Sequence, residues 1–387
     1  MDDLSPLESA ILKHITQNPF AGQQELADQM SIARSTVAAH IVTLTRKGYI
    51  LGRGYVLPAA KRVVCLGGAV FDRKFRASQP LVRATSNPAT GFHSYGGVAR
   101  NVLENLALLG HDTSFLSVVG DDQTGHNLLG HLRERGVDVS QVALSPTRAT
   151  AEYCAILSPE GDLDLGIAAM DIFEELTPDR LDRARSHLTS ATLLFSDCNP
   201  PMETISQLIE RSRGARYTLA IDPVSTHKAR RLPADLTGVG LLFMNVDEAS
   251  AYLSSSFSAD AEGAAQAARA LRTRGVGGAV VSTGTEGLVV ADDQGVTHVP
   301  AIPSHPVEVT GAGDAMIAGT LHATLSGQPL AEAALTGALL AALTVETATT
   351  VRADLSAAFL DRQRHRLPQG RALPPSSSSS LEPGVSA

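Results

Sequence analysis

The stretch Val307–Thr320 reads VEVTGAGDAMIAGT. Two glycines bracket an alanine, an aspartate follows at once, and a small apolar run compatible with a helix comes next. A loop of small residues leading into a helix lets backbone N–H groups converge on one spot, and the positive end of the helix adds to their pull on an anion. A carboxylate is the worst neighbour for that anion, so Asp314 needs a task. In phosphoryl transfer to an alcohol, a base accepts the hydroxyl proton while donors stabilise the moving phosphoryl group. Gly311, Ala312 and Gly313 would then cradle phosphoryl oxygens, with Asp314 beside the attacking oxygen. The same spacing also fits an ordinary glycine-rich helix entry in which Asp314 complements the dipole.

The chain around this stretch has 387 residues, of which 43% are hydrophobic. That is enough for two domains, one of them with a large core. A net charge of −8 excludes a global polycation built to hold nucleic acid. No apolar run approaches the length of a membrane span, and the acidic start MDDLSPLES has no signal-peptide pattern. Cys65, Cys154 and Cys198 lack metal-binding spacing and read as reduced thiols. The expected location is the cytoplasm.

The first sixty residues have their own logic. SPLESAILKHITQ predicts a helix with Ser5 as N-cap, Pro6 in the first turn and Glu8 three residues after the cap. GQQELADQM gives a second helix, SIAR a turn, and STVAAHIVTLTRKGYI a third helix ending at Gly48. YILGRGYVLP then reads as two short strands around Gly52, Arg53 and Gly54. This order resembles a winged helix-turn-helix, including Leu26, Ala27, Ile32, Val37, Ile41 and Leu44 as its apolar positions. In that family the third helix enters the DNA major groove. The resemblance points to Arg34, Ser35, Thr36 and His40 on that helix, and Arg53 at the wing tip, as DNA contacts. Yet Lys13, Arg34, Arg46, Lys47 and Arg53 only balance Asp2, Asp3, Glu8, Glu25 and Asp28, little for an affinity that rests on phosphates.

Beyond a short linker, PAAKR, strand-like and helical runs alternate: RVVCLGGAV, VARNVLENLALLG, SFLSVVG, ATLLFSD, YTLAIDPV, GLLFMN, GAVVSTG. Apolar strands separated by helices predict βαβ units and a mostly parallel sheet covered on both faces. The expected boundaries are 1–57 for the small domain, 58–62 for the linker, 63–366 for the α/β domain and 367–387 for a Pro/Ser-rich disordered tail.

The stretch TGAGD resembles the signature of the ribokinase-like (PfkB) carbohydrate kinases, and four further segments agree in order. GGAVFD supplies Asp72, placed by the resemblance at the end of the first strand to hold sugar hydroxyls. GGVARNVLENLALLG supplies Gly96 and Gly97, where the backbone approaches the sugar, and Asn101, which bonds it. NVDEA supplies Asn245 and Glu248, which in the family organise Mg²⁺ and phosphates through water. STGTEG supplies Ser282, Gly284 and Gly287 at the nucleotide. The resemblance implies ATP and Mg²⁺ and a small β lid beyond Asp72 that often makes a dimer contact, and it covers an α/β domain of about 300 residues. Many members read D-T-T-G-A-G-D, where this chain has Glu308, Val309 and Thr310. Glu308 can still lend an oxygen to a monovalent cation such as K⁺.

Within the family the chain resembles pseudouridine kinases most, through GGVARN with NLALLG, SDCN, IDPVS and VTGAGDAM. A uracil ring needs hydrogen-bond partners, and Asp171, Asp197 and Asn199 are suitable types, although each also suits a local cap or strand end. Ribose and other sugars remain alternative acceptors. Arg100 fits either a phosphate contact or a solvated helix start, and His227 and His305 read as loop histidines. Two functions stand: an active nucleoside kinase fused to a DNA-binding domain, and a transcription regulator using the kinase fold as a ligand sensor. A homodimer is expected in either case.

Overall fold

The computed structural model describes residues 4–18, 21–51 and 61–368. Arg53 and the expected wing beyond Leu51, most of the linker, and nearly all of the expected tail lie outside the described residues. α1 (Pro6–Gln17) begins as its sequence dictates. The Ser5 hydroxyl accepts from the Glu8 amide at 3.2 Å, and Glu8 Oε2 accepts from the Ser5 amide at 2.7 Å. Glu8 also takes the Lys47 ammonium at 2.9 Å. α2 (Gln23–Met30) and α3 (Arg34–Arg46) close with α1 over Ile11, Ile15, Leu26, Val37, Ile41 and Leu44.

The larger body opens with β1 (Val63–Leu66), then β2 (Val70–Ala77), β3 (Ala89–Gly96) and α4 (Val98–Leu108). β4 (Thr113–Gly120), α5 (Gln123–Glu134), β5 (Asp138–Ser145), β6 (Glu152–Leu157) and β7 (Leu163–Ala169) follow. After a short turn of 3₁₀ helix come α6 (Pro178–Arg183), α7 (Arg185–Ser190), β8 (Leu193–Asp197), α8 (Met202–Ser212), β9 (Thr218–Asp222) and α9 (Thr226–Ala229). Next are β10 (Val239–Asn245), α10 (Val246–Leu253), α11 (Ala261–Arg272), β11 (Gly278–Ser282), β12 (Leu288–Asp292) and β13 (Gly295–Val299). α12 (Ala312–Leu325), α13 (Leu330–Val345) and α14 (Ala357–Gln363) complete it.

Nine strands form one sheet in the order β13-β12-β11-β10-β9-β8-β1-β4-β5, parallel except for the pairs β11–β12 and β12–β13. Alternate residues of β1 go to opposite faces. Val63 and Cys65 join the core with α4, α12 and α13, whereas Val64 and Leu66 join the core with α8, α10 and α11. Burial on both faces is why these strands read as continuous apolar runs. From β1 the chain first builds outward through β4 and β5, then returns to build the other way from β8. The order reverses between β1 and β8, where open α/β sheets bind ligands beyond the carboxyl ends of their strands.

A second sheet, β3-β2-β6-β7, makes the small lid. Asp72 lies within β2, opposite Ser94 of β3, and not at the end of β1 as the sequence suggests. The step from β1 into the lid is therefore shorter than the motif implies, and the aspartate rides on the lid.

The end of α3 is docked on the body. Thr189 Oγ1 of α7 donates to the Arg46 carbonyl at 3.1 Å. The Arg216 guanidinium donates to the Lys47 carbonyl and the Tyr49 hydroxyl and lies 4.5 Å from the Tyr49 ring centre. Carbonyls at a helix end lack partners within the helix, and here the body supplies them. Arg34 and Ser35, at the other end of α3, are exposed, with Thr36 and His40 partly so. Among the described residues no helix is long and apolar enough to cross a membrane.

Candidate active site

Asp314 is the third residue of α12, whose N-cap is Gly311. Gly311 has φ +89°, and a Cβ there would stand 2.2 Å from the Thr350 carbonyl oxygen, so only glycine admits this loop. Asn101, in the first turn of α4, donates its Nδ2 to Asp314 Oδ2 at 2.6 Å. Burial pushes the Asp314 carboxyl up to about 7; the Asn101 bond and the Arg100 charge oppose the rise, and Asp197 and Asp72 add to it. Asp72 is likewise pushed up to about 6 by burial, against the pull of Arg100 and Lys74. Gly97 (φ +98°) lets the start of α4 close on the Gly68 carbonyl, which a Cβ would meet at 2.5 Å. Three sequence segments thus bring Asp72, Asn101 and Asp314 to one end of a cleft.

The other end is apolar. A cleft of about 320 Å³ is lined by Ser282, Gly284, Gly287, Gly313, Met316 and Ala341, among other small residues. It runs from the GAG loop to the turn after β11, which carries the STGTEG segment. Asn245 and Glu248 cap α10 reciprocally: Asn245 Oδ1 accepts from the Glu248 amide at 2.8 Å, and Glu248 Oε2 accepts from the Asn245 amide at 2.9 Å. Burial raises the Glu248 carboxyl. Asp222, at the end of β9, is raised by burial, then by Glu248 and Asp314. The sequence reading did not single Asp222 out, although it ends its strand as Asp197 and Asn245 end theirs. Two neighbouring carboxylates are a donor set that suits Mg²⁺, which is held by one or two carboxylates plus substrate oxygens. The described residues contain no group of three or more such ligands, so the protein would supply only part of the shell.

The residues expected to read a base are arranged differently from expectation. Asp197 is fully buried, and its carboxylate accepts from the amides of Gly68 at 2.9 Å, Ala99 at 3.1 Å and Asn199 at 2.9 Å. It braces the loop after β1 and the start of α4, with both oxygens engaged inside the fold. Asn199 is also buried, giving its Nδ2 to Asp197 at 2.8 Å and taking the Lys228 ammonium on its Oδ1. Lys228, which the sequence reading missed, also lies 3.9 Å from the Met170 sulfur. Burial lowers its ammonium. Asp171 is exposed and paired with Arg148 at 3.3 Å. Lys228 is thus a partly exposed polar group in this corner, held by Asn199.

Two further expectations change. Arg100 is wholly buried, neither a solvated helix start nor a ligand reaching into open cleft. Glu308 carries the protein's own cation: Lys74 of the lid donates to its Oε2 at 2.8 Å, and Thr310 Oγ1 to its Oε1 at 2.7 Å. These bonds, working against burial, hold the Glu308 carboxyl at about 2, so its oxygens are occupied where K⁺ was expected. His227 and His305 are exposed.

The profile of the pfkB family carbohydrate kinases matches residues 60–356. This chain belongs to that family. Its reaction class is accordingly phosphotransfer to an alcohol. A winged helix-turn-helix DNA-binding profile matches residues 4–50, so the kinase carries an N-terminal domain of that type. An uncharacterized sugar kinase of Escherichia coli, YeiI, is 33% identical over 84% of this chain and 90% of its own length. The pseudouridine kinase of the same organism is 32% identical over 70% of this chain and 86% of its length. The ribokinase of Arabidopsis thaliana superposes with a TM-score of 0.68 over 79% of this chain and 98% of its own, at 20% identity, a likeness of fold.

Proposed function

We propose that this pfkB kinase moves the terminal phosphoryl group of ATP to the 5′-hydroxyl of pseudouridine or a closely related nucleoside. The observation that carries the reading is the Asn101–Asp314 pair at the mouth of the GAG loop. It puts a carboxylate of raised proton affinity beside a cradle of helix-start amides. Asp72 and Asn101 hold the ribose, and Asp314 takes the hydroxyl proton. The attacking oxygen then bonds to phosphorus as the bond from phosphorus to the leaving diphosphate breaks. The amides of Gly311 and Gly313 receive the phosphoryl oxygens, whereas that of Ala312, expected to share the task, donates to the Val309 carbonyl at 3.2 Å. The cleft through Ser282, Gly284 and Gly287 takes the nucleotide, and ATP as that nucleotide is in keeping with a ribokinase of the same fold complexed with ribose and ATP. Asp222 and Glu248, with Asn245, would hold Mg²⁺ on the phosphates. When bound, the ion neutralises charge on the transferring group.

The nucleoside class rests on the E. coli pseudouridine kinase and on the Asn199–Lys228 pair, bonded to Asp197 next to the loop after β1. Uridine lacks the N1–H donor of pseudouridine, and a pocket built to bond a group rejects analogues without it. The test is ADP release with ATP, Mg²⁺ and a panel of nucleosides and sugars. A preference for pseudouridine over uridine supports the reading. Equal kcat/KM for the two sinks base recognition, and preference for free ribose sinks the nucleoside class.

The N-terminal domain is proposed to bind DNA through Arg34, Ser35, Thr36 and His40, with Arg53 assisting. The docking of α3 on α7 joins that domain to the chain segment between the lid and β8. Nucleoside binding is thus expected to change DNA affinity, and DNA to change nucleoside affinity by the same factor. A salt-controlled assay on the protein's own upstream DNA, with Arg34→Ala as control, tests this; no sequence preference in the wild type removes it. A homodimer through the lid is supported by Leu163, Leu165 and Ile167 of β7, each more than half exposed. Sedimentation of a Leu165→Asp variant as a monomer, against a wild-type dimer, is the expected outcome.

A further inference from the structure

Arg100 is the largest fully buried side chain of the described residues and has no assigned part in the reaction. Burying a charge is costly unless it is paired and bonded, so its partners say what it is for. Its Nη1 meets Glu104 Oε2 one turn along α4. Nη2 donates to the Tyr95 carbonyl at 2.7 Å and to Asn101 Oδ1, and Nε donates to the Gly96 carbonyl at 3.2 Å. Glu104 is itself held from α5 by His131 at 2.9 Å and Arg135 at 3.5 Å. A chain of contacts therefore runs from α5 through Glu104 and Arg100 to Asn101 and ends on Asp314.

The consequence lies in the amide of Asn101. An amide can present its oxygen or its NH₂ to a neighbour, and the two faces differ little in shape. A guanidinium only donates. With Arg100 on Asn101 Oδ1, the NH₂ has one place to go, which is Asp314 Oδ2. Turned the other way, Asn101 would aim its NH₂ at a cation and its oxygen at a carboxylate. Arg100 also brings a positive charge to a corner crowded with acids. Asp314 faces Asp72 from β2, Asp197 from the end of β8 and Asp222 from the end of β9, with Lys74 on β2 as the other nearby cation.

We propose that Arg100 is a positioning residue for the base, fixing the Asn101 amide so that it donates to Asp314 and keeping that carboxylate ionised. This rests on the reading of Asp314 as the base, and not on which acceptor is used. In the wild type, Asp314 is pushed up to about 7 by burial, with Arg100 among the groups opposing the rise. Arg100→Gln removes the charge while Glu104 keeps His131 and Arg135. An opposite charge at short range moves a carboxyl by about one unit or more.

The experiment measures kcat/KM against pH with ATP and pseudouridine for wild type, Arg100→Gln and Arg100→Lys. It also follows Asp314 directly by infrared titration of the carboxyl, with Asp314→Asn as blank and no substrate present. The acid limb is expected to move up by about one pH unit in Arg100→Gln, with activity largely recovered at pH 9 and a smaller move in Arg100→Lys. If Arg100→Gln does not fold, Arg100→Gln/Glu104→Gln, which removes both charges, takes its place. A folded variant whose limb and infrared titration coincide with wild type, whatever its kcat, overturns the proposal. A wild type that turns over no acceptor counts against the reading of the reaction, and the infrared titration still decides the role of Arg100.

Discussion

The two ends of the cleft are made of different chemistry. At the acceptor end the side chains are charged or amide-bearing and already bonded: Asp314 to Asn101, Asp197 to Gly68 and Ala99, Asn199 to Lys228. At the nucleotide end the wall is Gly284, Gly287, Gly313, Ala341 and Met316, which offer surface and backbone. The first end fixes direction and proton position, because each group there is held by a second group. The second end chiefly fixes volume, because apart from the hydroxyls of Ser282, Thr285 and Ser304 its wall is apolar. Substitutions should therefore act on turnover at one end and on affinity at the other.

The largest effect is expected from Asp314→Asn. It keeps the size and an oxygen to accept from Asn101 but cannot take a proton. Loss of a general base costs about 10²–10⁴ in rate. Nucleotide affinity, measured by calorimetry on the same variant, should stay within about twofold if the two ends are independent. A kcat above half of wild type removes Asp314 from the role of base.

At the other end, Ala341→Leu places a branched side chain in the cleft wall. Overfilling a packed space costs about 1–3 kcal/mol, which corresponds to about 5- to 150-fold in the KM for ATP. The KM for the acceptor should not move. If it rises as much as that for ATP, the cleft is not divided as the structure divides it.

The contrast also explains what the sequence disclosed. Features made by neighbours in the chain were legible: the Ser5–Glu8 capping box, the GAG entry to α12, and the alternation of strands and helices. The nucleotide end belongs to this class, since small residues in a loop mean nearly the same thing wherever they fold. The acceptor end does not. Lys74 meets Glu308 across 234 residues and Asn101 meets Asp314 across 213. No local pattern announces such a pair. Arg100 was ambiguous for the same reason: its burial is decided by α5 and β3, not by the residues beside it. Asp72 was misplaced because a lid strand starting three residues beyond a core strand has no signal of its own.

The pH profile sharpens the comparison further. The acceptor end has a buried group that titrates near neutrality and must be ionised to take a proton. With Asp314 at about 7, kcat/KM should fall about tenfold for each pH unit below that value and level off above it. Nucleotide binding measured without Mg²⁺ should be nearly flat from pH 6 to 8. A profile flat to pH 5 would mean that chemistry does not wait on this carboxylate.

The smallest expected effect concerns stability, and it has the opposite sign to the loss of activity. Asp314 has a folded-state value of about 7 against an ordinary 3.8. Between those values the folded protein holds a proton that the unfolded chain has released. Stability then falls as pH rises through this window and levels off above it. At pH 8 the wild type keeps an ionised carboxylate in a poorly solvated place, whereas at pH 4 it is neutral. Asn at this position is neutral at every pH. Asp314→Asn should therefore melt higher than wild type at pH 8 and equal to it at pH 4. The acceptor end would then be paying in stability for its proton acceptor, a trade seen where active groups are held in unfavourable surroundings. Ala341→Leu, with no charge involved, should show the same change in melting temperature at both pH values. Scanning calorimetry of the two variants at pH 4 and pH 8 makes the test, and a pH-independent shift for Asp314→Asn would show that burial does not strain this carboxylate.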